Sequence, residues 1–282
     1  MRFGASTFIW VSPFSNETLD LANKVRSLGF YLIYVCIEDP SKIDTAKAKA
    51  AFDAAGLSAL VCGAFGPNRD VSSDDEDIRK QGVAYLKICV DIAVALGSPI
   101  VSGPMYAATG KTRLLSAAER EQQWSWAVEN LTDVADYAAE HNVRLAIEPL
   151  NRFETDFINT VEQGLELIRR IDRDNVGFLL DTFHMNIEEK NPAAAVRAAA
   201  KKVFHFHASE NDRGIPGTGQ VPWAELAAAL KDIGYDDAVV IESFTTEIKE
   251  IARAVSLWRP VAPDQDSVAR DGLAFLKRVF VQ

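Results

Sequence analysis

The stretch Val143-Arg144-Leu145-Ala146-Ile147-Glu148 is a short apolar run that ends on a carboxylate. Three later runs, at residues 176–180, 203–206 and 238–241, likewise end on a polar residue: Asp181, His207 and Glu242. Between 26 and 35 residues separate consecutive members of this set. Each interval accommodates one strand and one helix, so we expect the four side chains to lie side by side along one rim of a parallel sheet.

The same alternation of a short apolar run and a longer amphipathic stretch occurs eight times from end to end. Glycines at positions 29, 56, 97 and 234 end four of the helical patterns, and Thr160 with Gln163 forms a capping box that begins another. The predicted strands are residues 3–6, 31–37, 58–62, 100–102, 143–148, 176–181, 203–207 and 238–242.

Eight such units without a linker or a change in composition favour one closed (β/α)8 TIM barrel, an α/β fold, over an open doubly wound sheet. The first strand leads into Gly4-Ala5-Ser6-Thr7, which is not a glycine-rich phosphate loop, so a dinucleotide-binding function has no support. We therefore expect residues 1–282 to form a single TIM-barrel domain.

Composition excludes several classes of partner. Hydrophobic residues make up 48% of the chain, enough for a large core, and 30 basic against 40 acidic residues give a net charge of −10. An acidic protein has no electrostatic attraction for nucleic acid phosphates or for an anionic membrane surface. We expect neither nucleic acid nor membrane among the partners of this protein.

Cysteine usage indicates a reducing compartment. Cys36, Cys62 and Cys89 are odd in number, widely spaced and set in apolar runs, as buried free thiols are. The N-terminal residues lack the pattern of a secretory signal, and no apolar run reaches the roughly 18 residues of a membrane helix. A cytoplasmic protein is the expectation.

Three carboxylates gathered at the mouth of an apolar barrel would repel one another unless a cation lies between them. One divalent metal ion bound by Glu148, Asp181, His207 and Glu242 removes this difficulty. Three oxygen ligands and one imidazole, with no thiolate, favour Mn²⁺, Mg²⁺ or Co²⁺. The alternative is that each acid is an ordinary solvated cap, but four such residues in the same position of successive units argue against coincidence.

Further polar residues follow the same strand ends. Glu154 comes after the fifth strand, His184 after the sixth and Arg213 after the seventh. His205 shares the face of His207 in a strand, and we interpret it as an inward histidine of the barrel core in preference to a metal ligand. The pair Glu188 and Glu189 is interpreted as a solvated charge pair. Trp10 follows the first strand, where its ring could line a pocket.

Several of these residues form recognisable motifs. The segments Glu148-Pro149-Leu150-Asn151-Arg152, Asp181-Thr182-Phe183-His184 and His205-Phe206-His207, the last followed by Glu210, Asn211 and Arg213, resemble the xylose-isomerase-like barrels. Among those barrels, the ketose 3-epimerases of the D-tagatose and D-psicose (allulose) type are the most similar. The resemblance spans most of the second half of the chain and includes Leu257-Trp258-Arg259, whereas the first half matches only in its alternation of strands and helices.

This resemblance implies a metal-dependent epimerase that inverts C3 of free ketoses. In that family the metal, most often Mn²⁺, is bound at the positions of Glu148, Asp181, His207 and Glu242 and contacts the C2 and C3 oxygens of the sugar. Of the two glutamates, one removes the C3 proton to give a cis-enediolate and the other returns a proton to the opposite face. The resemblance also implies sugar contacts by Glu154, His184 and Arg213, and a homodimer or homotetramer.

Alternatives remain at this point. The motif Glu148-Pro149-Leu150-Asn151-Arg152 also occurs in relatives that act on hydroxypyruvate, keto-glycosides or inositol-derived ketones. An aldose–ketose isomerase that uses the same metal and acids is the main alternative, and a non-catalytic sugar-binding barrel is a further one. DNA-repair endonucleases of this barrel type need a multi-zinc cluster, for which four histidines and an acidic chain are a poor match. Ser6 and Thr7 stand where the family often places aromatic residues, so we expect several ketoses to be accepted.

Overall fold

The computed structural model describes residues 1–280, in which eight parallel strands close into a barrel in the order β1 to β8. The prediction of a (β/α)8 barrel is thereby confirmed, and each predicted strand lies within one or two residues of an observed one. The strands are β1 (Arg2–Ser6), β2 (Leu32–Ile37), β3 (Ser58–Gly63), β4 (Ile100–Gly103), β5 (Arg144–Ile147), β6 (Val176–Asp181), β7 (Val203–Ala208) and β8 (Ala238–Ile241).

Helices surround this barrel. They are α1 (Leu21–Ser27), α2 (Thr45–Ala55), α3 (Glu76–Leu96), α4 (Ala117–Glu140), α5 (Val161–Ile171), α6 (Thr182–Glu188), α7 (Pro192–Ala199), α8 (Trp223–Asp232), α9 (Lys249–Ala254) and α10 (Gln265–Phe280). Two of them, α6 and α7, follow β6, and short 3₁₀ turns precede α1. Within residues 1–280, none of the helices has the length and apolar composition needed to cross a bilayer.

Local chemistry sets several helix ends as the sequence predicts. Gly56 and Gly97 adopt left-handed backbone conformations directly after α2 and α3, with φ of +69° and +74°. Such a conformation is costly for residues with a Cβ atom and free for glycine. At the start of α5, the Thr160 hydroxyl accepts from the Gln163 main-chain N–H, and the Gln163 side chain accepts from the Thr160 main-chain N–H. These caps fix where each helix leaves the barrel.

Side chains of each strand alternate between the barrel interior and the surrounding helices. On β2, the interior positions are Leu32, Tyr34 and Cys36, which pack in one cluster with Leu60, Ala146, Leu179 and Val240 of other strands. The intervening positions Ile33, Val35 and Ile37 pack outward in the larger core beneath the helices. Because the alternation continues to the strand ends, residues at interior positions there face the mouth of the barrel.

Gly177 on β6 has no room for a side chain. A Cβ atom at this position would lie 2.4 Å from the Lys202 carbonyl oxygen and 2.6 Å from the Phe204 ring. The register between β6 and β7 shifts next to this site, between Phe178 and Leu179. Glycine is therefore required here by the close approach of the main chain just before β7, which a rotamer change cannot relieve.

We predict that Gly177→Ala lowers the free energy of unfolding by about 1–3 kcal/mol, because the added methyl group overpacks the interior against a main-chain oxygen. Gly66→Ala is the matched control, since its Cβ meets no atom within 4 Å. Chemical denaturation of both variants measures the difference. Equal stabilities of the two variants would contradict the packing described here.

Candidate active site

Four buried side chains meet at the carboxyl ends of neighbouring strands. Glu148 directly follows β5, Asp181 is the last residue of β6, His207 lies in β7 and Glu242 directly follows β8. Each offers one potential ligand atom, and these atoms all lie within 4.8 Å of one another. The barrel thus brings together all four residues that the sequence predicts as metal ligands.

The geometry of this cluster fits a divalent cation. His207 Nδ1 lies 3.5 Å from Asp181 Oδ2, 3.5 Å from Glu242 Oε2 and 4.0 Å from Glu148 Oε1. Two atoms that bind one ion at about 2.0–2.6 Å are at most about 5 Å apart, so the spacing is suitable. Neither His207 ring nitrogen nor Glu148 Oε1 has a hydrogen-bond partner among residues 1–280. Buried polar atoms without partners are costly, and a bound cation would satisfy them.

Burial and mutual repulsion control the charges of the cluster. Burial raises the pKa of Glu148 well above its usual range, and the charge of Glu242 adds to that effect. Burial alone would lower the pKa of His207, but the Glu242 and Asp181 carboxylates raise it well above normal. For Asp181, burial is outweighed by Arg213 and His207, which hold the pKa of this carboxyl well below its usual range. Positive charge is therefore what this site requires.

Arg213 supplies part of that charge. Its Nη1 donates to Asp181 Oδ2 at 2.9 Å and to Glu242 Oε2 at 3.3 Å. Ser209 links Arg213 to Asp181. Its hydroxyl accepts from Arg213 Nη1 at 3.0 Å and donates to Asp181 Oδ2 at 3.1 Å. One guanidinium balances only one of three carboxylates, so room for a divalent charge remains.

The position of Arg213 is built into its loop. Its φ is +64°, a conformation that costs a non-glycine residue free energy and is often found at functional sites. The Ser243 hydroxyl donates to its carbonyl oxygen at 2.6 Å, and the guanidinium lies 4.0 Å from the centre of the Phe183 ring and 5.1 Å from that of Phe244. Stacking between two rings limits the guanidinium to one orientation.

His184 is held as a neutral hydrogen-bond donor. The Asn151 main-chain N–H donates to His184 Nδ1 at 3.0 Å, so the imidazole carries its proton on Nε2. Burial and the charge of Arg213 lower the pKa of His184 to about 3, which keeps the ring uncharged at neutral pH. Nε2 lies 3.2 Å from Arg213 Nη2 and 3.8 Å from Glu148 Oε1. Two donors thus lie side by side, and an oxygen atom that approaches both from the barrel mouth could accept from each.

Glu154, the third predicted sugar contact, is joined to this group through Asn151. The Asn151 side chain donates to Glu154 Oε1 at 2.7 Å. Burial raises the pKa of Glu154, although the charge of Arg213 opposes the shift. Glu154, His184 and Arg213 therefore lie together beside the four potential ligands, and their roles toward a sugar stay a prediction.

His205 and Trp10, which the sequence also singles out, lie outside the four-residue cluster. His205 faces the barrel interior below His207, where its ring stacks on Tyr34 with centroids 5.2 Å apart. It is not part of the four-residue cluster, in agreement with its interpretation as a core residue. Trp10 donates its indole N–H to Asp266 at 2.6 Å, which anchors the first loop to α10.

The interpretation of Glu188 and Glu189 as a solvated pair was wrong. The Glu188 side chain is only 5% exposed and forms a two-pronged salt bridge with Arg152. Glu189 accepts from the Val161 main-chain N–H at 2.8 Å, at the start of α5. Both carboxylates hold the loop that carries Asn151 and Glu154, because α6 turns them back toward β5 instead of into solvent.

Several site residues were not predicted from the sequence. Ser209 supports Asp181, while Phe183 and Phe244 enclose the Arg213 guanidinium. Phe8 packs against Phe244 with ring centroids 5.3 Å apart, so an aromatic pair is present near the first strand despite Ser6 and Thr7. The sequence does contain a sign of the two rings beside Arg213, because Phe183 and Phe244 each follow a predicted ligand, Asp181 or Glu242, by two positions.

The chain was compared with known protein families and structures. Residues 22–279 match the model of the xylose isomerase-like TIM barrel family. A probable ketose 3-epimerase of Synechocystis sp. is 34% identical over 280 residues, covering 99% of this chain and 97% of the relative. An L-ribulose 3-epimerase of Mesorhizobium japonicum is also 34% identical and covers 98% of this chain and 93% of its own.

Solved structures agree with these relatives. An L-ribulose 3-epimerase superimposes with a TM-score of 0.93 at 32% identity, covering 99% of this chain and 94% of its own. A D-allulose 3-epimerase from Methylomonas sp., solved in complex with D-allulose, gives a TM-score of 0.91 at 32% identity and covers 99% of this chain and 97% of its own. The protein is therefore a carbohydrate epimerase that belongs to the xylose isomerase-like TIM barrel family and, within it, to the ketose 3-epimerases.

Proposed function

We propose that this protein reversibly inverts the C3 centre of unphosphorylated ketoses, with Glu148 and Glu242 as the two proton-transferring groups. The observation that carries the proposal is the placement of these two carboxyls at opposite ends of one buried four-residue cluster. They follow β5 and β8, and the two intervening strands contribute Asp181 and His207. A carbon between Glu148 and Glu242 is accessible to one carboxyl on each face.

The C3 proton of a ketose is acidic because it lies next to the C2 carbonyl group. One carboxylate takes this proton, and the other carboxyl delivers a proton to the opposite face of C3. The direction of the reaction decides which of Glu148 and Glu242 begins as the base, because each forward step has its reverse. Two groups on opposite faces allow inversion without rotation of the intermediate, which a single base would require.

Asp181, His207, Glu148 and Glu242 would together hold a divalent cation, whose charge stabilises the negative charge that develops on the C2 and C3 oxygens. Removal of the proton from C3 is otherwise strongly disfavoured. Two of the carboxylates, Asp181 and Glu242, also keep Arg213 in place by accepting hydrogen bonds from it.

His184 and Arg213 orient the carbonyl end of the sugar in this proposal. His184 Nε2–H and Arg213 Nη2 lie 3.2 Å apart, and a substrate oxygen placed beside this pair would receive two hydrogen bonds. Glu154 accepts from Asn151 and offers its remaining oxygen to a sugar hydroxyl. Because both N–H donors belong to side chains that are held in place, the ketose would be bound with C3 in one position.

The ion, assembly and location are also proposals. Mn²⁺ is the ion that we expect, with Co²⁺ or Mg²⁺ as substitutes, because the ligand set has three oxygens, one imidazole and no thiolate. Exposed apolar side chains at Leu114, Phe153 and Trp258 support a homodimer or homotetramer that covers them. Three buried free thiols support a cytoplasmic location.

An aldose–ketose isomerase is the principal alternative, and isotope labelling separates the two reactions. The protein is incubated with Mn²⁺ in D₂O and with D-psicose, D-tagatose, D-fructose or a ketopentose, and deuterium is located by NMR. We predict deuterium at C3 of the ketose together with formation of its C3 epimer. Label confined to C1 or C2, or no epimer from any ketose, would contradict the proposed function.

Glu148→Gln and Glu242→Gln should each lower kcat by about 10²–10⁴-fold, because an amide cannot transfer the proton. The amide oxygen can still bind a cation, so both variants should retain more metal affinity than Asp181→Ala or His207→Ala. Titration calorimetry with Mn²⁺ and initial rates make the comparison.

Glu225→Gln is the matched control, since Glu225 is an exposed acid in the first turn of α8. It should leave both metal affinity and kcat unchanged. The division of roles would be wrong if the Glu148 and Glu242 variants lost metal and activity in parallel with Asp181→Ala.

A further inference from the structure

A fourth carboxylate follows a barrel strand at an interior position, outside the cluster described above. Glu38 directly follows β2, on which Leu32, Tyr34 and Cys36 face the barrel interior. By the alternation of a strand, Glu38 occupies the next interior position toward the mouth. Its side chain is half-buried.

One oxygen of Glu38 has a partner and the other has none. Oε1 accepts from the Ser12 hydroxyl at 2.6 Å, whereas Oε2 is buried without a hydrogen-bond partner among residues 1–280. The nearby Arg69 does not provide one, because its guanidinium donates at 2.8 Å to the main-chain oxygens of Ala64 and Glu38. An acceptor in this state is costly unless a ligand donates to it.

Glu38 lies on the same rim of the barrel as the candidate active site. Strand β1 pairs with β2 on one side and with β8 on the other, so Glu38 and Glu242 lie two strands apart on the same rim. Burial raises the pKa of the Cys36 thiol, and the charges of Cys62, Glu242 and Glu38 raise it further. Both carboxylates are therefore within electrostatic range of one thiol in the barrel interior.

These positions assign the two ends of a bound ketose to different sides of the barrel. Glu148, His184 and Arg213, which would hold the carbonyl end, belong to the side formed by β5, β6 and β7 and their loops. The carbons beyond C3 would then extend across the mouth, and the rim of β1 and β2 lies on that side. A hydroxyl group there could donate to Glu38, while a phosphate would be repelled by its charge.

We propose that Glu38 Oε2 accepts a hydrogen bond from the C5 or C6 hydroxyl of the ketose, which makes Glu38 a specificity-determining residue for the length of the sugar. This inference rests on the proposed function, since it requires a ketose bound with C3 between Glu148 and Glu242. Ser12 holds the carboxylate in position through the opposite oxygen.

A comparison of two sugars in two proteins tests this role. The sugars are a hexulose, D-psicose, and erythrulose, a four-carbon ketose that has C3 but lacks C5 and C6. Exchange of the C3 proton in D₂O gives kcat/KM for both. Glu38→Ala should lose about 10–100-fold on D-psicose and less than about twofold on erythrulose, since only the former sugar loses a charged hydrogen bond.

Two further variants keep the test decisive. Glu38→Gln retains a group that reaches Ser12 and should lose about 3–10-fold on D-psicose alone, because an amide is a weaker partner than a carboxylate in either orientation. Asp39→Asn is the control, as Asp39 is the neighbouring acid that caps a 3₁₀ turn and its side chain is 40% exposed. It should leave both sugars unaffected.

A loss of the same factor on both sugars in Glu38→Ala and Glu38→Gln would overturn the inference, because it would indicate a structural role. The outcome is distinguishable from failure of the proposed function. If the unaltered protein exchanged the C3 proton of no ketose, the proposed function itself would be wrong. Exchange by the unaltered protein with uniform losses in the variants would reject only the role of Glu38.

Discussion

The electrostatic repulsion among three buried carboxylates is the constraint on which this site depends. Glu148, Asp181 and Glu242 lie at the ends of three strands of one closed barrel, which bring their carboxylates close together. Arg213 offsets one charge, and burial raises the pKa of Glu148 instead of letting it ionise freely. A cation bound between the acids would offset their repulsion. It would also give a partner to a ring nitrogen of His207, neither of which has a hydrogen bond among residues 1–280.

The surrounding polar groups are organised around the same requirement. Asn151 and Ser209 are not among the groups proposed to bind the cation or the sugar, yet each holds one that is: Asn151 orients His184, and Ser209 supports both Asp181 and Arg213. The positive φ of Arg213 indicates that its loop is bent to deliver the guanidinium. The strained loop lowers the stability of the fold, but it holds the donors and acceptors rigidly, as acid–base chemistry at one carbon requires.

Regular elements could be predicted from the sequence, and loops could not. The eight strands and the four strand-end residues follow from alternation and from the spacing of one unit, which fix both position and direction of a side chain. Glu188 shows where this reasoning stops, because its direction is set by the short helix α6 and by Arg152. Glu38 was not singled out from the sequence, because only the structure reveals that one of its oxygens has no hydrogen-bond donor among residues 1–280.

Anomalous X-ray diffraction from crystals grown with Mn²⁺ tests the central claim most directly. One ion per chain is predicted, at about 2.0–2.3 Å from one atom each of Glu148, Asp181, His207 and Glu242. The same crystals of the Asp181→Ala variant should show no anomalous peak at this position. A peak elsewhere in the barrel, or full catalytic activity in protein that binds no ion, would contradict the claim that these four residues form a metal centre.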